Sequence, residues 1–233
     1  MAEERENELE SMAAFFDARA EGYDRHMRGY VFTEADFVSF YQALASPIPQ
    51  TDAPLEILDL GCGTGLEIEY ILARAPNARI TGVDVAAGML ALLRQRYAAH
   101  MEQIHLINDS YLTMELGRER YDLALSAMTI HHLLSDDKRA LYAGIRAALK
   151  PGGVYIEGDS VTPPEMEAQF LAEYREQIDP LPQPAPGQYH IDVPLSLETQ
   201  RRLLLEAGFR GVELLWQRDP LDMWNAAVYL AST

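Results

Sequence analysis

A chain of 233 residues with 48% hydrophobic and 24% charged positions has the makeup of one globular domain with additions, which excludes a disordered or membrane-embedded class. Its 19 Lys and Arg against 36 Asp and Glu give a formal charge of -17, a surface that repels nucleic-acid phosphates and anionic lipid alike. The single cysteine, Cys62, leaves no internal disulfide framework and no thiolate metal cluster.

No apolar run approaches the roughly 18 residues needed to cross a bilayer. The start, MAEERENELE, is acidic where a secretory signal would be basic and then apolar, so a cytoplasmic location is expected. From Glu8 to Ala45 apolar residues recur at helical spacing, Met12, Phe15 and Phe16 and then Phe37, Phe40, Tyr41 and Leu44, which predicts two or three helices. The proline-bearing stretch SPIPQTDAP, Ser46 to Pro54, reads as a linker.

From Leu55 the pattern alternates. LEILDL, RITGVDV, IHLIND, YDLALSAM and GGVYIEGD are strand-like, with helical stretches over 66–75, 88–99 and 136–149 between them. Parallel strands need crossover connections, so this alternation predicts a doubly wound α/β sheet covered on both faces. Beyond Asp159 the alternation stops. TPPEMEAQFLAEYREQIDP predicts an amphipathic helix opened by prolines, and LPQPAPGQYHIDVP a loop with little regular structure. A last helix, SLETQRRLLLEAGF, has Ser196 as N-cap, and GVELLWQRD and MWNAAVYLA, separated by PLD, predict an antiparallel hairpin. The resulting division is a helical segment over 1–50, a ligand-binding core over 51–160, an insertion over 161–195 and a C-terminal completion over 196–233.

GCGTG follows the first strand, where a doubly wound sheet holds its ligand. Glycines 61, 63 and 65 allow a tight turn and close backbone approach, but a dinucleotide fingerprint needs glycine at 66, which is Leu. Asp84 ends the second strand and suits the two hydroxyls of a ribose, and Asp109, in the NDS that ends the third, suits an adenine amino group; as alternatives, either residue serves its own turn. The ligand expected is a nucleoside.

These residues resemble the class I S-adenosylmethionine-dependent methyltransferases over roughly residues 20 to 233: ILDLGCGTG as the first motif, Asp84, Asp109, YDLALSAM as the fourth strand and LKPGGVYI as the fifth. The resemblance implies a Rossmann-like, mainly parallel seven-stranded sheet with an antiparallel last strand, S-adenosylmethionine as cofactor and S-adenosylhomocysteine as product. It assigns Asp59 to the methionine amino group, with a turn cap as the alternative, and implies a cofactor-binding set of Tyr23, Asp59, Gly61, Cys62, Gly63, Gly65, Asp84, Val85, Met89, Asp109, Ser110 and Ser126. Cys62 reads otherwise as a small buried filler. Tyr23, in AEGYDRHMRGYVF, would cover the methionine end or be an ordinary helix aromatic. The insertion, with Phe170, Tyr174, Tyr189 and His190, would form the opposite wall of a lid.

The acceptor site is expected in SAMTIHHLLSDD, after the fourth strand, where His131 or His132 is the candidate catalytic base. The alternatives are a structural pair, or a metal set of His131 and His132 with His190 or Glu157; no metal is expected. The partner expected is a small-molecule acceptor methylated on N, O or S, with neither nucleic acid nor membrane; a homodimer burying the lid is compatible. Arg25, Arg28 and Arg175 would suit a carboxylated acceptor or serve as surface partners of nearby acids. Two other readings are open: an enzyme of this fold using the cofactor without methylation, and a non-catalytic module that binds it.

Overall fold

The computed structural model describes residues 9–181, 184–219 and 225–233. Two helices come first, α1 (Met12–His26), continued by a π-helical turn Met27–Val31, and α2 (Glu34–Ala45). Each begins on a hydroxyl cap: Ser11 accepts the N–H of Ala14 and Thr33 that of Asp36. The alternating region follows as β1 (Glu56–Leu60), α3 (Ile68–Arg74), β2 (Arg79–Asp84), α4 (Ala87–Arg96), β3 (Ile104–Asn108), β4 (Tyr121–Ala127), α5 (Ser135–Ala148) and β5 (Leu149–Val161). Then come α6 (Glu167–Ile178), α7 (Leu197–Glu206), β6 (Gly211–Gln217) and β7 (Asn225–Ser232).

The seven strands form one sheet in the order β3-β2-β1-β4-β5-β7-β6. β1 to β5 pair in parallel, while β7 runs antiparallel between β5 and β6. The expected hairpin is therefore present, with its second strand inserted inside the sheet; its turn residues Pro220–Asp222, with Met223 and Trp224, lie outside the described residues. Alternate residues of each strand feed opposite cores. Ile57, Leu125 and Ile156 meet α2, α3 and α4, whereas Leu58, Ala124 and Tyr155 meet α5 and α7.

α2 is a core element: Phe37, Phe40, Tyr41 and Leu44 are buried, and Phe40 lies so close to Gly158 of β5 that a Cβ there would sit 2.6 Å from the ring. Strand order reverses between β1 and β4, which brings the loops leaving those two strands side by side at one edge of the sheet. α1 crosses this edge and joins the insertion, with Met12 N–H donating to Gln188 O at 2.9 Å and His190 N–H to Glu10 O at 3.1 Å. No helix of the described residues is long and apolar enough to cross a membrane.

Candidate functional site

Three positive φ angles, +69° at Gly61, +47° at Gly63 and +74° at Gly65, bend the chain away from β1. At Gly61 the neighbour is as decisive as the angle: a Cβ would lie 2.2 Å from Thr129 Oγ1, just past β4. Asp84 braces the loop, its Oδ2 accepting Gly63 N–H at 2.9 Å and its Oδ1 accepting Ala86 N–H at 2.8 Å. Burial raises its pKa, and these backbone donors partly offset the rise. Asn108 donates to the carbonyls of Asp84 and Val85, which stiffens the turn out of β2.

A cleft of about 580 Å³, counting its mouth, opens at this edge. Of the residues expected to hold cofactor, Tyr23, Gly61, Gly63, Asp84, Val85, Met89 and Ser110 line it. Its other walls are mostly apolar, with Met12 and Phe16 from α1, Leu112 after β3, and Met128 and Leu133 after β4. Met128 has a left-handed φ of 52°, strain at the point where the chain leaves β4 beside the glycines.

Five expected residues stand off the cleft lining. Gly65 packs behind the loop on Ile68 and Leu93, and Cys62 fills the space over Gly82. Asp109 is exposed and accepts the N–H of Ser110. Ser126 shares the strand face of Ala124, so its hydroxyl is buried against Tyr155 OH at 2.7 Å on the α5 side of the sheet. Tyr155 OH donates in turn to Glu157, whose carboxylate also accepts from Tyr142 and Tyr229. With its oxygens taken by three phenols, Glu157 is removed from the metal set considered above.

Asp59 is fully buried behind the cleft, and among the described residues the neighbouring Glu67 carboxyl is its one side-chain partner, with no N–H or alcohol reaching either oxygen. Beside it is Glu67, equally buried, at the start of α3. Burial pushes Asp59 up to about 7, against the side-chain hydrogen bond with Glu67 that lowers it. Glu67 lies well above the carboxylate range, through burial and then the charge of Asp59. One proton shared by two acids with no cation beside them is a costly arrangement, and a bound ammonium would relieve it. Sequence reading missed Glu67; its one signal was an acid two residues after the glycine loop.

The histidines occupy a short 3-10 turn, Ile130–His132, and both are buried. His131 Nδ1 lies 2.5 Å from Asp159 Oδ1, and Asp159 is fixed by the N–H groups of Ile130 and Ser160, both at 2.7 Å. Asp192, from the insertion, lies 3.4 Å from His131 Nε2 and 3.0 Å from His132 Nδ1. Burial opposes charge on His131, but the two carboxylates outweigh it and raise the imidazole to about 10. Burial and the neighbouring His131 lower His132 instead. His190 stacks on Phe15 with ring centroids 3.4 Å apart and, mainly through burial, falls to about 4. Neither Asp159 nor Asp192 was singled out from the sequence, since each lies at least 28 residues from His131 in the chain.

The helical cover is pinned at Asp24, next to Tyr23. Its carboxylate accepts from Thr64 Oγ1 at 2.6 Å and pairs with Arg96 of α4, which also donates to Thr64 O at 3.0 Å. Nearer the start of α1, Asp17 caps α4 by accepting Gly88 N–H at 2.7 Å. The insertion reaches the cleft lining through Gly187, while Phe170 is buried. Arg25 and Arg175 are exposed, and Arg28 pairs with Glu34 and Glu69, so none of the three lines the cleft.

Residues 57–153 match the family model described as a methyltransferase domain. With the strand order and the glycine loop at its reversal, the match gives this part of the chain the methyltransferase-domain fold. Among relatives, it is 31% identical over 165 residues to a malonyl-[acyl-carrier protein] O-methyltransferase of Geobacter sulfurreducens, covering 69% of this chain and 58% of that one. It is 27% identical over 174 residues to a carboxy-S-adenosyl-L-methionine synthase of Wolinella succinogenes, covering 69% and 71%. Alignments with three curated relatives span 28%, 36% and 58% of their lengths. A solved structure of similar fold is the 1,6-didemethyltoxoflavin-N1-methyltransferase of Burkholderia thailandensis with S-adenosylhomocysteine bound, at TM-score 0.62 and 20% identity over 95% of this chain and 86% of that one.

Proposed function

We propose that this chain transfers the methyl group of S-adenosylmethionine to N, O or S of a small-molecule acceptor. The observation that carries the reading is the glycine loop braced by Asp84 beside the buried Asp59–Glu67 acid pair, which no N–H among the described residues reaches. Asp84 can accept ribose hydroxyls on lone pairs that its two backbone donors leave free, and the bare faces of Gly61 and Gly63 admit the cofactor closely. Asp59, with Glu67, answers the methionine ammonium. When bound, the cofactor supplies an electrophilic methyl on a positively charged sulfur.

Methyl transfer is an in-line displacement, so the chain's main task is alignment and exclusion of water. Phe16 and Tyr23 from α1, with Met128 and Leu133 after β4, give an apolar channel for the acceptor. No lysine or arginine is among its described lining residues, so the carboxylated acceptor considered from Arg25, Arg28 and Arg175 loses its support. Of the imidazoles, His132 Nε2 has no partner, whereas His131 has a carboxylate near each nitrogen.

Calorimetry with S-adenosylmethionine and S-adenosylhomocysteine, followed by mass spectrometry after incubation with an acceptor library, tests the proposal. Methylated acceptor with stoichiometric S-adenosylhomocysteine is the expected result. Two other outcomes defeat the reading: binding with an altered nucleoside and no methylated product selects another use of the cofactor, the chemistry named for the Wolinella relative, and binding with no product of any kind selects a non-catalytic module.

A further inference from the structure

We propose that His131, His132 and Asp192 form a site for one divalent transition-metal ion of zinc-like preference, beside Phe16 of the cleft wall. One ligand atom from each residue, two of them on buried imidazoles, lies within 4.8 Å of the others. Two of the three separations are close to those of a coordination shell. Metal–ligand bonds of about 2.0–2.1 Å in a tetrahedron place neighbouring ligand atoms about 3.3–3.4 Å apart. Asp192 Oδ1 is 3.4 Å from His131 Nε2 and 3.0 Å from His132 Nδ1.

Charge pairing of Asp192 with the two imidazoles holds the ion-free cluster, but its hydrogen-bond geometry is incomplete. Asp192 Oδ1 is buried and, despite those two close nitrogens, has no aligned donor. The weak 3.3 Å contact of His132 Nδ1 with the Ile191 carbonyl is the one an ion would displace.

Support behind His131 has the form found behind metal-bound imidazoles, unlike that of His132, whose Nε2 has no partner among the described residues. Asp159 holds the proton on His131 Nδ1, and the proton on Nε2, paired with Asp192 in the ion-free protein, is the one an ion would displace. Asp159 is itself held by two backbone donors, and Val193 N–H donates to His131 O at 2.7 Å, tying the ligand-bearing loops together. Two imidazoles and one carboxylate are three protein ligands, the number that leaves a position open on a catalytic zinc. Magnesium and calcium call for oxygen shells and copper(I) for thiolates, so the donor set selects a borderline divalent ion. His132 lies 6.1 Å, ring to ring, from Phe16 of the cleft wall.

Resting on the proposed methyl transfer, an ion here would bind the acceptor's N, O or S atom and lower its pKa, so that the proton passes to solvent water before the acceptor lone pair displaces S-adenosylhomocysteine from the methyl group. The site itself is tested without turnover. Untagged protein of these 233 residues, stripped with chelator, is titrated with Zn²⁺ and Co²⁺ by calorimetry and by the visible absorption of bound cobalt, and S-adenosylhomocysteine binding is measured separately. One ion per chain is expected, with cobalt displaced by zinc. Asp192→Asn, on a half-exposed loop residue, and His132→Gln should each weaken binding at least 10-fold, and Asp159→Asn 10- to 100-fold. Asp192→Asn should leave S-adenosylhomocysteine affinity within 2-fold, so loss of the ion and loss of the cofactor reading are distinguished. Substoichiometric binding to wild type, or equal ion affinity in folded Asp192→Asn and wild type, overturns the proposal.

Discussion

Asp59→Asn separates the cost of a buried acid pair from its use. The carboxyl is fully buried and raised from an ordinary 3.8 to about 7. Between those values the folded chain holds a proton that the unfolded chain has released. The stability contribution of Asp59 therefore falls as pH rises through that window and is lowest above pH 7. About three units at 1.36 kcal/mol each set an upper bound on the order of 4 kcal/mol, shared between Asp59 and the neighbouring Glu67. Asparagine keeps the shape and cannot ionise, so the ligand-free variant should gain up to about that amount over wild type at pH 8, and less than half of it at pH 5. The same change removes the carboxylate proposed to receive the cofactor's ammonium. Losing one partner of a buried ion pair costs about 3–5 kcal/mol, or at least on the order of 10²-fold in affinity. Urea unfolding at pH 5 and 8, with S-adenosylhomocysteine calorimetry at pH 8, reads both effects. A variant less stable than wild type at pH 8, or one binding S-adenosylhomocysteine with unchanged affinity, would refute the reasoning.

Two other substitutions probe the frame. Gly61→Ala meets a φ of +69° and a Cβ only 2.2 Å from Thr129 Oγ1, so it should cost at least about 1–3 kcal/mol and abolish measurable S-adenosylhomocysteine binding; thermal melts and calorimetry check it, and wild-type values in both would show that the loop yields freely. Asp24→Asn weakens the clasp to Thr64 and Arg96. It should raise protease sensitivity of the α1 segment and lower S-adenosylhomocysteine affinity several-fold, with global unfolding shifted by no more than about 1 kcal/mol.

Much of this molecule follows from short-range pattern. Alternating apolar runs predicted β1 to β5 and the helices between them because each element needs only its own periodicity to be recognised. Ser196 was legible as a cap for the same reason, its partner Thr199 being three residues on. The glycine loop and Asp84 were legible together because a strand-turn-helix unit fixes their geometry locally, and the structure joins them through Gly63.

Tertiary structure alone decided what faces what. Strand parity turned Ser126 toward Tyr155 and left Asp59 on the other face with Glu67, a difference that depends on which side of the sheet each helix covers. The closeness of Gly61 to Thr129 exists only because β1 and β4 are neighbours at the reversal of strand order. Asp159 and Asp192 reach His131 from another strand and from the insertion, across 28 and 61 residues of chain. Local preference determines how a segment folds, but a carboxylate's partners are chosen by the packing of whole elements, which no short window of residues contains.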